Sequence, residues 1–204
     1  MNSCNLLLII FTLGTAAYAH VPEVGKIFAT FGPFVHQVSS SYVQDSLSSP
    51  LAVDFGLLGE GDFNNKDGIE VGIFYGTKTY QRAYANTHLT ERINKLSVPL
   101  GYRHWFSPAF STAIAFDANY TMGEAQVIFN NAPKGSEPTT ARSITEYGFD
   151  FSVQWEPWTQ NRFAMLIDAR YFYSVSAKSN EDANQATILV GLKYLIQEKS
   201  DPSP

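Results

Sequence analysis

Along most of the chain apolar and polar residues take alternate positions, the period of two that sends successive side chains to opposite faces of a strand. The run from Ser143 to Trp158 is the clearest case. Tyr147, Phe149, Phe151, Val153 and Trp155 share one face, and Glu146, Gly148, Asp150, Ser152, Gln154 and Glu156 share the other. Ile69, Val71, Ile73 and Tyr75 stand in the same way against Glu70, Gly72 and Lys78. Phe110, Ile114, Phe116, Ala118 and Tyr120 oppose Ser111, Asp117 and Asn119, and Ile188, Val190, Leu192, Tyr194 and Ile196 oppose Thr187, Gly191 and Lys193. Clusters of Gly, Pro, Asn, Asp and Ser separate the alternating runs, and no amphipathic helix competes with them. The pattern predicts eight strands, over residues 24–36, 50–60, 68–80, 92–106, 109–121, 142–157, 162–175 and 185–196. The first is the least regular, because Phe28 and Phe34 fall on the face that Lys26, Thr30 and His36 claim as polar.

Alternating strands also build soluble sandwiches and lipocalin-like barrels, whose apolar faces point inward. Three features favour a membrane barrel instead. Long and short connections strictly take turns: 37–49, 81–91, 122–141 and 176–184 are long, while GDFNNKDG, Ser107-Pro108 and Thr159-Gln160-Asn161 are short. A barrel with periplasmic termini puts its long loops outside and its short turns inside in that order. The strands exceed the five or so residues usual in soluble sheets and suffice to cross a bilayer at a tilt. Aromatic residues gather at the strand ends. Tyr102, Phe106, Phe110, Trp155, Trp158 and Phe163 flank the short turns, and Tyr75, Tyr80, Tyr120, Tyr147, Tyr171 and Tyr173 lie toward the long loops, as two interfacial girdles would.

Composition agrees. With 45% apolar and 16% charged residues over 204 positions, the chain reads as one domain. Its mean hydropathy of -0.12 is too low for a bundle of membrane helices. Residues 1–19 hold an apolar run from Leu6 to Leu13 and end in Ala17-Tyr18-Ala19, the layout of a secretory signal peptide whose cleavage leaves His20 first. The expected organisation is therefore a signal peptide over 1–19, a barrel over 20–196 and a short periplasmic tail over 197–204. Cys4, the single cysteine, lies within the signal, so the mature chain has no disulfide or thiolate chemistry. A net charge of -5 gives no support for nucleic-acid binding.

If the apolar faces meet lipid, the lumen receives Asp54, Glu60, Glu70, Lys78, Arg103, Asp117, Glu146, Asp150, Glu156, Asp168, Arg170 and Lys193, with glycines between them. An eight-stranded barrel is only wide enough for its own side chains. Charges of both signs are thus expected to pair across the interior and plug it, since an unpaired buried charge is expensive. The alternatives are a narrow ion path or gate formed by Asp150, Asp168, Arg170 and Arg103, and a narrow channel for small or apolar solutes.

The run LSVPLGYRHWFSPAFSTAIAFDANY has a Pro-interrupted strand, an aromatic end, a short turn and a glycine-poor return strand. It resembles the small outer-membrane β-barrels of the OmpA transmembrane-domain and opacity-protein type. The likeness extends over residues 20–196 and implies an all-β, eight-stranded antiparallel up-and-down transmembrane barrel in a Gram-negative outer membrane, bathed in lipid and lipopolysaccharide. Gly191, Tyr194 and Ile196 resemble the C-terminal signal read by the barrel-assembly machinery, although Leu189 stands where that signal carries a polar residue and the chain continues through QEKSDPSP.

Lipid A deacylases and acyltransferases are small barrels too, and the deacylase type needs a His base beside a Ser nucleophile with a carboxylate nearby. No H-x-S occurs. His104 with Ser107 is the nearest match and reads as an interfacial aromatic neighbour. His36 with Ser39 to Ser41 is better placed, but the sequence assigns it no carboxylate. His20 and His88 are isolated, and GEGDFNNKDG lacks the spacing of a calcium loop. No catalytic, cofactor or metal residue is expected, and the function is assigned to an unknown ligand of the extracellular loops.

Overall fold

The computed structural model describes residues 22–38, 50–84, 87–131, 145–176 and 184–198. The signal peptide, His20, Ser39 to Ser41, the side chain of Tyr80, most of the tail and much of the expected loops lie outside these residues. Eight strands form one closed barrel in sequence order: β1 (Ile27–Val38), β2 (Ala52–Asp62), β3 (Asp67–Tyr84), β4 (Thr87–Ser107), β5 (Phe110–Asn130), β6 (Glu146–Gln160), β7 (Phe163–Ser174) and β8 (Gln185–Gln197). Every neighbouring pair is antiparallel, including β1 with β8, which closes the ring.

The turns at the end that carries both strand termini are tight for identifiable reasons. Asn64 Oδ1 accepts the backbone N–H groups of Lys66 and Asp67, each at 2.7 Å, and its amide donates to Asp67 Oδ2 at 2.6 Å. This Asx-type turn joins β2 to β3. Pro108-Ala109 joins β4 to β5, and Asn161-Arg162 joins β6 to β7 with Asn161 at φ 54°, a conformation that Asn tolerates better than most residues.

Prolines inside strands fall where the ladder is interrupted, as their missing N–H requires. The β1–β8 register skips Gly32 and Pro33, the β3–β4 register skips Pro99, and Pro157 lies in the bulge between Trp155 and Trp158. At the closing seam the backbones approach closely: a Cβ on Gly32 would lie 2.1 Å from the Val190 carbonyl oxygen.

Alternation in the sequence becomes alternation in burial, inverted relative to a soluble protein. Phe106 is 65% exposed and Leu100 61%, while Arg103 is 1% exposed and Glu70 0%. In water such a molecule would have its polar and apolar surfaces on the wrong sides; a hydrocarbon surrounding reverses the sign.

Two expectations require correction. Residues 81–84, 87–91 and 122–130 belong to strands and not to long loops. Apolar alternation stops short of these residues, but the backbone ladder continues without it once both faces can be polar. The interior is also not purely charged. Phe34, Leu58, Phe74, Leu166 and Leu189 form a buried cluster inside the barrel, and Phe28 faces inward as well. The first strand looked irregular because one of its faces mixes apolar and polar residues that all enter the lumen.

Glycines make room for this cluster. The Phe74 ring lies against Gly56 and Gly72, where a Cβ on Gly72 would come within 2.5 Å of Phe74 Cε2 and 2.8 Å of Pro99 Cγ. Gly72→Val is expected to destabilise the barrel by about 1–3 kcal/mol through overpacking, seen as a lower urea midpoint after refolding into micelles. Adding Phe74→Leu should recover part of that loss.

Candidate functional site: the lumen and the projecting ribbon

Inward positions from seven strands converge on one ionic network. Glu70 of β3 is held by Arg103 of β4, whose Nε donates to Oε2 at 3.1 Å, and by Arg170 Nη2 of β7, which donates to Oε1. Arg170 Nε also donates to Asp150 Oδ2 of β6 at 3.1 Å, and its Nη1 to Asp168 Oδ2 at 3.2 Å. Arg103 Nη1 donates to Ser111 Oγ of β5 at 2.7 Å, and its Nη2 to Ser152 Oγ at 3.1 Å. Ser152 in turn donates to Asp168 Oδ1 at 2.6 Å. Lys193 of β8 pairs with Glu60 of β2 and, at 2.7 Å, with Glu156 of β6. Its ammonium lies 4.7 Å from the ring centres of both Phe28 and Trp105, within the range of cation–π attraction. Glu60 links the two halves of the network through Arg103 Nε at 3.8 Å.

Toward the loop end a second group forms. Glu146 accepts Lys78 at 3.1 Å and lies 3.4 Å from Lys95. Asp117 accepts the Ser97 hydroxyl and, at 3.2 Å, the Asn119 amide. His36 Nε2 lies 2.8 Å from Asp54 Oδ2, which also accepts the Thr77 N–H at 2.9 Å. A chamber of about 40 Å³ lies between these groups and the network, bordered by Phe34, Phe74, Asp117, Asp150, Arg170 and Phe172. Charged groups border it beside the three phenylalanine rings, and it is large enough for water.

The twelve residues expected in the lumen, Glu60 and Glu156 among them, point into it. Glu70, Arg103, Asp150, Asp168 and Arg170 meet directly, Lys193 joins through Glu60, and Lys78 with Glu146, Asp54 and Asp117 sit apart from them. Sequence reasoning missed Lys95, the apolar cluster and the Asp54 partner of His36. Parity could have found the first two: Lys95 lies an even number of positions from Arg103, and Leu166 and Leu189 share parity with Asp168 and Lys193. The His36–Asp54 contact joins two strands, and only the register decides it. Tyr102, Phe106, Tyr120, Tyr147, Trp155, Trp158 and Tyr171 all face outward.

Among the described residues, His36 and His104 give no acyl-transfer geometry. His36 faces the lumen and its Nε2 is engaged by Asp54. His104 lies on the outside near the terminal end, with Nδ1 2.6 Å from Asp67 Oδ1, an oxygen that also accepts the Tyr102 hydroxyl, and with its ring edge-on to Phe106.

Beyond the loop-end rim the described strands no longer close the sheet. Pairing of β2 with β3 stops at Phe55↔Tyr75 and that of β5 with β6 at Asn119↔Glu146, yet β3, β4 and β5 remain paired as far as Tyr84↔Thr87 and Leu89↔Asn130. They form a three-stranded ribbon that leaves the barrel. Val38 and Ile93, with Ala125 against them, pack at its base. Along β5 the ribbon exposes Met122, Val127, Ile128 and Phe129, interrupted by Gly123 at φ 87° and by two register shifts against β4.

No protein-family model matches the chain, and no curated protein matches it. Solved structures do. The attachment invasion locus protein Ail of Yersinia pestis, in complex with the heparin analogue sucrose octasulfate, is 15% identical with a TM-score of 0.51, over 84% of this chain and 98% of that one. The outer membrane protein OprG of Pseudomonas aeruginosa is 10% identical with a TM-score of 0.56, over 88% of this chain and 98% of that one. The fold is that of the small eight-stranded outer-membrane β-barrels. Inward charges in so narrow a lumen are expensive to leave unpaired. Removing one guanidinium strands several buried carboxylates, so Arg170→Ala is expected to cost about 3–5 kcal/mol, measured by urea unfolding in micelles. The companion change Asp150→Asn should restore part of it.

Proposed function

We propose that the chain is a non-enzymatic outer-membrane protein, both termini periplasmic, whose closed barrel is a scaffold and whose ribbon and loop-end segments make its surface contacts. The ribbon carries this reading. From Tyr120 to Asn130, β5 continues for roughly 30 Å of strand at ~3.3 Å per residue, far more than barrel closure needs. Recognition by segments displayed on a rigid frame is the usual use of such a projection. The two register shifts and Glu124 blunt the β5 edge against strand addition. Contact is then made through side chains, foremost Val127, Ile128 and Phe129. Short turns at the terminal end support the orientation, and the pairing of lumen charges supports a lumen shut to solutes.

Replacing Val127, Ile128 and Phe129 by Thr should lower the attachment of expressing cells to protein- and polysaccharide-coated surfaces several-fold, with heat-modifiable gel migration unchanged. Equal attachment would remove the ribbon from the reading. In planar bilayers the wild-type protein is expected to give no stable unitary currents. Currents that change with Arg170→Ala would replace the closed scaffold by a narrow channel for small or apolar solutes, and an altered acyl pattern of lipopolysaccharide would make the protein an enzyme.

A further inference from the structure

On the outer wall near the loop end, the registers of β6, β7, β8 and β1 place Val153, Ala169, Ile188 and Val35 in one row, and Phe151, Tyr171, Ala186 and Gln37 in the next. Most outward positions elsewhere on the wall carry large apolar or aromatic side chains. Here two alanines stand on a diagonal between larger neighbours, and the wall sinks into a furrow of about 510 Å³, with Leu51 at its loop-side border. Its outward-facing lining is hydrocarbon and aromatic ring except for the Gln37 side chain at its loop-side edge.

The surroundings decide what occupies it. Between an apolar wall and lipid there is no hydrophobic driving force, so association there depends on fit and van der Waals contact. An unfilled furrow forfeits those contacts on every atom that lines it. Arg170 and His36 border the furrow, but their side chains are buried in the lumen and engaged by Glu70, Asp150, Asp168 and Asp54. The furrow residues therefore present no outward cation to a phosphate.

We propose that this furrow seats one acyl chain of a lipid in the loop-side leaflet, recognised by its hydrocarbon and not by its headgroup. The inference rests on the wall being membrane-embedded, as in the reading above.

The test uses the full chain refolded in micelles with dipalmitoyl phosphatidylethanolamine, dipalmitoyl phosphatidylglycerol or a dioctanoyl lipid, followed by native mass spectrometry. One retained dipalmitoyl lipid is expected with either headgroup, and less of the dioctanoyl lipid. The double substitution Ala169→Phe and Ala186→Phe should reduce retention roughly fivefold or more, a change of about 1 kcal/mol, while Ile69→Phe on another stretch of the wall should not. No retained lipid, equal retention by the filled variant, or retention that follows the headgroup overturns the seat. Heat-modifiable migration shows that each variant is folded. Membrane fractionation is a separate reading: recovery in the soluble periplasm would overturn the membrane assignment itself, whereas membrane recovery with no lipid retained would overturn only the seat.

Discussion

Hydrocarbon offers no hydrogen-bond partner to a peptide group, and this constraint organises the molecule. Every backbone N–H and C=O within the bilayer has to be paired inside the chain, so the sheet cannot keep an edge and β1 must meet β8. Closure sets the close contact at Gly32 and confines in-strand prolines to interruptions of the ladder. It also fixes the inversion of polarity, because a ring of strands has one face toward lipid and one toward a lumen too narrow for bulk water.

Charged side chains placed in such a lumen cannot stand alone. Glu70 takes both guanidiniums, Arg170 spans three carboxylates, and Lys193 is enclosed by two carboxylates and two aromatic rings. Removing any one partner leaves others desolvated and uncompensated. The interior also holds the cluster of Phe34, Leu58, Phe74, Leu166 and Leu189, which requires no pairing and fits beside the network because glycines yield space to Phe74. Two chemistries thus stand side by side in the interior.

Past the rim the constraint is lifted. Water can satisfy an open edge, so β3, β4 and β5 continue where β2 and β6 no longer pair with them, and irregularities in β5 become tolerable. Among the described residues rigid pairing and an open edge coexist here, so the proposed contacts fall to the ribbon and the proposed support to the barrel beneath it.

The alternation of Tyr147 to Glu156, the turn residues at Asn64 and Asn161 and the spacing of the connections determined strand number, pairing order and the inward or outward direction of nearly every side chain. These are local properties, written in a period of two and in the backbone preferences of Asn, Gly and Pro. Ribbon length was not legible, because Gln81 to Glu91 and Met122 to Asn130 lack the one-sided pattern that burial imposes on a strand. Only the tertiary structure decided which charges meet. Arg170 reaches Glu70 across a separation of 100 residues, and His36 finds Asp54, through register and barrel stagger. Those depend on the closure of all eight strands together and leave no trace in any one of them.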